Sequence, residues 1–295
     1  MEFDERRLRA VVAIAENGSL GRAAEAIHVS QPALSRMLGD LEARLETKLF
    51  ERYAKGMVAT QAGEILIEHA RQLTFDIEQA RHALQELRGL RSGQVRIGAV
   101  AATTRALLPR ALEKMRRQAP GLKVELMEAP DSELTDALLD RRIDLIVASD
   151  SISHADIEPL SYCDYEDSFQ VCCRAIDPPV APDCGLSEAL AQDWVMLKRG
   201  RTPRSNLEAL IKAAGHSAPN IAVETNTIGT QISILRNSDL LGWLPLAVIA
   251  DQCAAGQLQV VEIPELLMPR RFRVYRRKQG YFPKHTRLLY SCLTG

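Results

Sequence analysis

The chain has no run of about 18 apolar residues, so no membrane-spanning helix is expected. Its first stretch, MEFDERRLRAVVAIAENGSL, is acidic and has no long apolar core, which argues against a secretory signal peptide. Cysteines are few: Cys163, Cys172, Cys173, Cys184, Cys253 and Cys292, with no C-x-x-C pair. A chain of 295 residues does not need a disulfide framework, so reduced thiols and a cytoplasmic location are the expectation. Catalytic signatures are missing too. There is no G-x-S-x-G, phosphate-binding loop, G-x-G-x-x-G or H-E-x-x-H, and the histidines at 28, 69, 82, 154, 216 and 285 are scattered. No enzyme, metal site or cofactor is therefore expected. Internal repeats and low-complexity segments are also absent.

An excess of charge of one sign is lacking as well. The formal net charge is −1, and residues 1–58 carry nine Lys/Arg against nine Asp/Glu. Whole-chain charge therefore says nothing about a polyanionic partner. Any phosphate affinity must come from local placement of Arg22, Arg36, Arg52 and Lys55.

What is there is an ordinary globular composition, 46% hydrophobic and 25% charged, organised around Ser19 to Phe50. Leu20, Ala23, Ala24 and Ile27 mark the buried side of one helix, with Ser19 placed to cap it. His28-Val29 makes a turn, Ser30 can cap a second helix, and Pro32 fits that helix's first turn. Leu34, Met37, Leu38, Leu41 and Leu45 then recur with a helical period. Two short helices across a tight turn describe a helix-turn-helix. Early in the second helix stand Gln31, Ser35 and Arg36. Gln suits adenine, Arg suits guanine or phosphate, and Ser suits either a base edge or a phosphate. A first helix at 4–16, with Leu8, Val11, Val12 and Ala15 inward, precedes this unit. A short two-stranded wing with Gly56 at its turn follows, placing Arg52 and Lys55 near phosphate or the minor groove.

The chain resembles the LysR-type transcriptional regulators here. The residues that carry the resemblance are Ala23-Ala24, Ser30-Gln31-Pro32-Ala33-Leu34-Ser35-Arg36, Leu41-Glu42, Leu49-Phe50-Glu51-Arg52 and Thr60-Gln61-Ala62-Gly63. One departure is Thr47, where many members carry Gly in the turn after the second helix. The resemblance implies a winged helix-turn-helix at 1–58 that reads double-stranded DNA at a palindromic promoter site. Its DNA-facing residues would be Arg22, Ser30, Gln31, Pro32, Ser35, Arg36, Arg52 and Lys55. It further implies contact with RNA polymerase.

Thr60 can cap a long helix over 59–90. Its apolar seam runs Leu66, Ala70, Leu73, Ile77, Ala80, Leu84, Leu87, alternating steps of four and three as in a coiled coil. A lone helix would leave that seam wet. The resemblance implies a dimer through it, with a tetramer as the larger assembly, and Leu66, Leu73, Ile77, Leu84 and Leu87 as its dimerisation residues.

After a polar hinge at 88–94 the pattern becomes alternating strands and helices, an α/β fold opening with βαβαβ. The resemblance implies a two-lobed effector-binding domain at 91–295, folded like periplasmic solute-binding proteins. Lobe I would be 91–162 with 269–295, and lobe II 163–268, the crossings falling near 160–167 and 266–272. Ligands of such sheets bind beyond strand ends, at helix N-termini. Three such ends hold Thr103 and Thr104, then Arg199, Arg201, Thr202 and Arg204, then Asn226. That set suits a small anionic effector. The basic run Arg270 to Lys278 has no acid near it in sequence and receives no role. Two other readings remain open: a cysteine-based redox sensor on the same DNA module, which would need a low-pKa, accessible thiol, and a cytoplasmic small-molecule binding protein.

Overall fold

A computed structural model of the chain describes residues 3–53, 56–87, 93–198 and 202–295; at 79, 82, 83, 85–87 and 202 only the backbone is described. Lys55, Arg199, Arg201, the side chains of Leu87 and Thr202, and most of the 88–94 hinge lie outside the described residues. Two compact units emerge. One is Met1–Gly93 with Leu139–Arg142 and Gln279–Lys284; the other is Gln94–Leu138, Ile143–Lys278 and His285–Gly295.

The first unit runs α1 (Glu5–Asn17), α2 (Leu20–Ala26), α3 (Gln31–Arg44), β1 (Phe50–Tyr53), β2 (Gly56–Ala59) and α4 (Gln61–Leu87). Asp4 caps α1 by accepting from the Arg7 N–H at 2.9 Å, and Gly18 closes it in the left-handed region at φ 59°. The buried face of α1 is Leu8, Ala10, Val11, Ala13 and Ile14. Val12 and Ala15, expected inward, are only half-buried, because the face that packs against α2, α3 and α4 is centred on Ala10, Val11, Ala13 and Ile14 instead. Ser19 stands at the N-cap of α2 but its side chain makes no capping bond, contrary to expectation. Ala23, Ala24, Leu34, Leu38, Leu41, Leu49 and Ile67 close the core.

The second unit holds two lobes. Its first part runs β3 (Gly93–Ala99), α5 (Ala101–Arg105), α6 (Leu107–Gln118), β4 (Leu122–Glu128), α7 (Asp131–Leu139) and β5 (Leu145–Ser149). The helical stretch after β3 is broken at Ala106 into α5 and α6. Next comes the 18-residue β6 (Ile157–Arg174), followed by α8 (Leu186–Leu190), β7 (Asp193–Leu197), α9 (Thr202–Ala213), β8 (Asn220–Thr225) and α10 (Ile228–Arg236). Then follow β9 (Gly242–Pro245), α11 (Leu246–Ala254), β10 (Leu258–Val261), β11 (Met268–Arg277) and α12 (Lys284–Thr294).

One sheet runs in the order β10-β6-β11-β5-β3-β4, with β9 also on β6, while β7 and β8 pair parallel in a second sheet. β3 and β5 are parallel, as βαβαβ requires. β11 enters antiparallel between β5 and β6. The two long strands β6 and β11 thus link the lobes. The second lobe closes over Trp194 and Trp243, whose indole N–H groups donate to the Ala189 and Leu266 carbonyls at 2.9 and 2.8 Å. At the end of the chain, the Tyr290 hydroxyl on α12 donates to Ser161 at 2.8 Å.

Candidate nucleic-acid interface and ligand cleft

Ser30 caps α3 by accepting from the Ala33 N–H at 3.4 Å, and Pro32 sits in the first turn. Gln31, Pro32 and Arg36 are exposed on the helix's opening turns, and Ser30 at its N-cap and Arg22 on α2 are exposed as well. The wing comes to the same place: the exposed Arg52 on β1 donates to the Ser35 hydroxyl at 3.0 Å. Gln31, Arg36, Ser35 and Arg52 therefore share one solvent-facing surface. The guanidinium of Arg52 keeps further donors for phosphate.

A residue that sequence reasoning quoted but did not explain holds this surface together. Glu42 is buried on the inner face of α3 and accepts from the N–H groups of Leu49 (2.9 Å) and Phe50 (3.3 Å) and from Lys48 Nζ (2.6 Å). Burial raises its pKa, yet the bonds from Lys48 and the two backbone N–H groups outweigh that and bring it below the ordinary value. Thr60 accepts from the Gly63 N–H at 3.0 Å, capping α4, and donates to the Lys48 carbonyl at 2.6 Å. A Cβ on Gly63 would lie 2.0 Å from the Leu49 carbonyl oxygen, so only glycine lets α4 start this close to β1. The Thr47 departure is accommodated one residue earlier. Glu46 takes the left-handed conformation at φ 49° and Thr47 donates its N–H to the Glu42 carbonyl.

On α4, α1 covers the stripe beside the expected seam. Arg81 pairs with Glu5 and Arg9 with Glu78 across it. Along the seam itself Ala70 is buried within the chain's own fold and Leu66 and Ile77 are half-buried, while Leu73 (49% exposed), Ala80 and Leu84 (60%) face solvent.

In the second unit a cavity of about 600 Å³ opens between the lobes, within the usual range for small-molecule sites. Its apolar wall includes Val100, Ala102, Phe169, Leu197, Pro203 and Met268. Asn226 lies on the wall beside Thr227, whose hydroxyl is taken up in capping α10 through the Thr230 N–H at 3.2 Å. Thr103 and Thr104 are not on the wall; Ala101 and Ala102 are. The Thr103 hydroxyl is buried and donates to the Val100 carbonyl at 2.9 Å. The Thr104 hydroxyl lies 2.9 Å from the Ala101 carbonyl oxygen and also against the Glu128 carboxylate. Arg204 is turned away too: it is buried and paired with Glu208 (2.6 Å) and Glu224 (3.3 Å), so it does not supply the cleft's positive charge.

The cations described on the wall are Arg105, Arg270 and Arg271, two of them from the run assigned no role. That run does have acids beside it. The β11–β6 register sets Arg270 opposite Asp167, Arg271 opposite Glu166 and Arg276 opposite Glu158, and each pair makes an ion pair at 3.0, 3.2 and 2.6 Å. The Arg270 guanidinium also lies over Phe169 and Phe272, 4.2 and 5.1 Å from the ring centroids. Burial lowers the Arg270 pKa and Asp167 counters it. Its Nε is buried with no hydrogen-bond partner, an omission that costs about 1–3 kcal/mol unless something fills it. The same wall carries Glu128, Asp131, Glu133 and Asp150.

Each of the six cysteines is free, and all but the half-buried Cys253 are buried. Burial pushes their thiols up, Cys163 to about 12. No described helix is long and apolar enough to cross a membrane.

Comparison with known proteins agrees with this architecture. Residues 6–64 match the bacterial regulatory helix-turn-helix protein, lysR family, and residues 88–295 match the LysR substrate binding domain. The chain is 32% identical over 272 residues to the SDS degradation transcriptional activation protein of a Pseudomonas species, covering 91% of this chain and 87% of that one. In fold it is similar to a full-length OxyR variant from Pseudomonas aeruginosa (23% identity, TM-score 0.70, covering 98% of this chain and 97% of that one). It is likewise similar to full-length CbnR crystallised with its target DNA (21% identity, TM-score 0.70, covering 99% of each).

Proposed function

We propose, from the premise that this chain belongs to the LysR-type transcriptional regulators, that it binds a twofold-symmetric DNA site as a homodimer and is controlled by a small molecule held between its lobes. The observation that carries the DNA reading is the Arg52–Ser35 bond. It joins wing and recognition helix into one exposed surface with Gln31 and Arg36. Gln31 reads a base edge, Arg36 and Arg52 hold phosphate or guanine, and Ser30 and Pro32 start the helix at the right depth. Arg22 adds a phosphate contact from α2.

A DNA-binding part at 1–58 with no net charge gains little from bulk electrostatics, so two half-sites are needed for useful affinity. Leu73 and Leu84, exposed on α4, supply the surface for pairing with a second copy, along with Leu66 and Ile77. The linker at 59–90 would transmit any change in the effector domain at 91–295 as a change in half-site spacing, a population shift between two dimer geometries. CbnR's crystal structure with target DNA is in keeping with this reading. The buried, high-pKa thiols speak against the redox alternative.

The test is fluorescence anisotropy of the full chain on DNA from its own upstream region, titrated with salt. Site-specific binding that weakens on Arg36→Ala supports the reading. Equal affinity for that DNA and for scrambled DNA would count against it.

A further inference from the structure

We propose that the ligand of the interlobe cleft is amphoteric: an amino acid or similar amine-bearing organic acid, with its carboxylate at Arg270 and its ammonium group at Asp131. The inference rests on the effector reading of this cleft and concerns what fills it.

The charges of the wall lead there. Each described cation already has a carboxylate beside it: Arg105 has Glu128 at 3.8 Å, Arg270 has Asp167 at 3.0 Å and Arg271 has Glu166 at 3.2 Å. A ligand that is only an anion would enter a cavity whose described cations are matched and whose wall also carries Asp131, Glu133 and Asp150. Like charges within one cavity repel, and low-dielectric walls screen them poorly.

Asp131 stands out among these acids. Asp150 is held by Arg273 at 3.1 Å and by the Tyr162 hydroxyl at 2.7 Å. Asp131 accepts from the Ser151 hydroxyl at 2.6 Å, and the described structure gives it no ion pair. Beside it Ser149 and Ser151 lie 3.2 Å apart, both on the cavity wall. This corner offers acceptors, one of them a full negative charge.

Arg270 offers the opposite. Its guanidinium is fixed by two aromatic rings and by Asp167, and its Nε–H is buried without an acceptor. A carboxylate oxygen satisfies that donor. Asp131 and Arg270 both line this cavity, and the Asp131 charge works on Arg270 in the same sense as that of Asp167, against the lowering by burial. A molecule that carries a carboxylate and an ammonium group on neighbouring carbons meets both demands, adds no net charge, and leaves its carbon skeleton for the apolar wall of Val100, Phe169 and Met268. A hydroxyl would also donate to Asp131, but only an ammonium compensates its charge.

The experiment is calorimetry and thermal shift on the full chain with the twenty standard amino acids and with matched plain acid, 2-hydroxy acid and 2-amino acid forms of three skeletons: pentanoate, glutarate and hexanoate. At least one amino acid should bind, about tenfold or more tighter than its plain-acid and hydroxy-acid forms. Asp131→Asn, checked by circular dichroism for folding, should bring the amino form down to the affinity of the plain acid. Plain or hydroxy acids binding as well as the amino form would overturn the proposal and leave the effector cleft standing. The same holds if no amino acid binds while another class does. If a broad panel of acids, bases and neutral compounds leaves both melting temperature and DNA affinity unmoved, the effector reading falls with it.

Discussion

Arg270 on β11 and Asp167 on β6 face each other across an antiparallel register and form an ion pair of 3.0 Å whose side chains are only 12% and 3% exposed. The second carboxylate oxygen of Asp167 accepts the Ala247 N–H, at the start of α11, at 3.2 Å. One carboxylate thus ties the floor of the cleft to a helix of the second lobe. Removing one partner of such a pair leaves a buried charge alone, which costs about 3–5 kcal/mol. Asp167→Ala should therefore lower unfolding free energy by about that much in urea titration. Asp167→Ala with Arg270→Met should cost less than the sum of the two single changes. Strict additivity would mean that the two side chains are not coupled.

Glu42 gives the DNA-binding part a pH dependence of known sign. Its folded pKa lies below the ordinary 4.5, so its bonds to Lys48, Leu49 and Phe50 stabilise above that value. The contribution is lost as pH falls from about 4.5 through the folded pKa. Glu42→Gln should cost about 1–3 kcal/mol at pH 7 and less at pH 3, read by chemical denaturation. A cost that grows on acidification would contradict the assigned role.

Much of the fold was legible because it is local. Helical spacing in Leu34 to Leu45, the Ser30 and Thr60 caps and the strand–helix alternation after residue 93 are set by neighbours in sequence. The cleft was not. Arg270 and Arg271 looked like an idle basic run because their acids, Asp167 and Glu166, lie about a hundred residues away and meet them only through the β6–β11 register. The hydroxyls of Thr103 and Thr104 look like ligand donors in sequence. In the structure they turn back onto the Val100 and Ala101 carbonyls within the short α5. Nothing local marks the role of Glu42, because the N–H groups it accepts from belong to Leu49 and Phe50, seven and eight residues on, and reach it only when the chain folds back.

The seam of α4 makes a separate prediction. Leu73→Asp with Leu84→Asp places charges on two exposed leucines of the helix. If the seam is the dimer contact, each charge would be buried unpaired on association, and sedimentation velocity should show monomer at concentrations where the parent is dimeric. Persistence of the dimer would move the interface elsewhere.

The central claim, that this chain reads DNA sequence through α3 as a symmetric dimer, is tested most directly by selection of bound sites from random-sequence DNA with the full chain and with Gln31→Ala. The parent should enrich a twofold-symmetric site. Gln31→Ala should lose preference at one position per half-site, a change of about 1–3 kcal/mol in discrimination there. Enrichment of the same site with unchanged preference by Gln31→Ala, or no symmetric site from the parent, would contradict it.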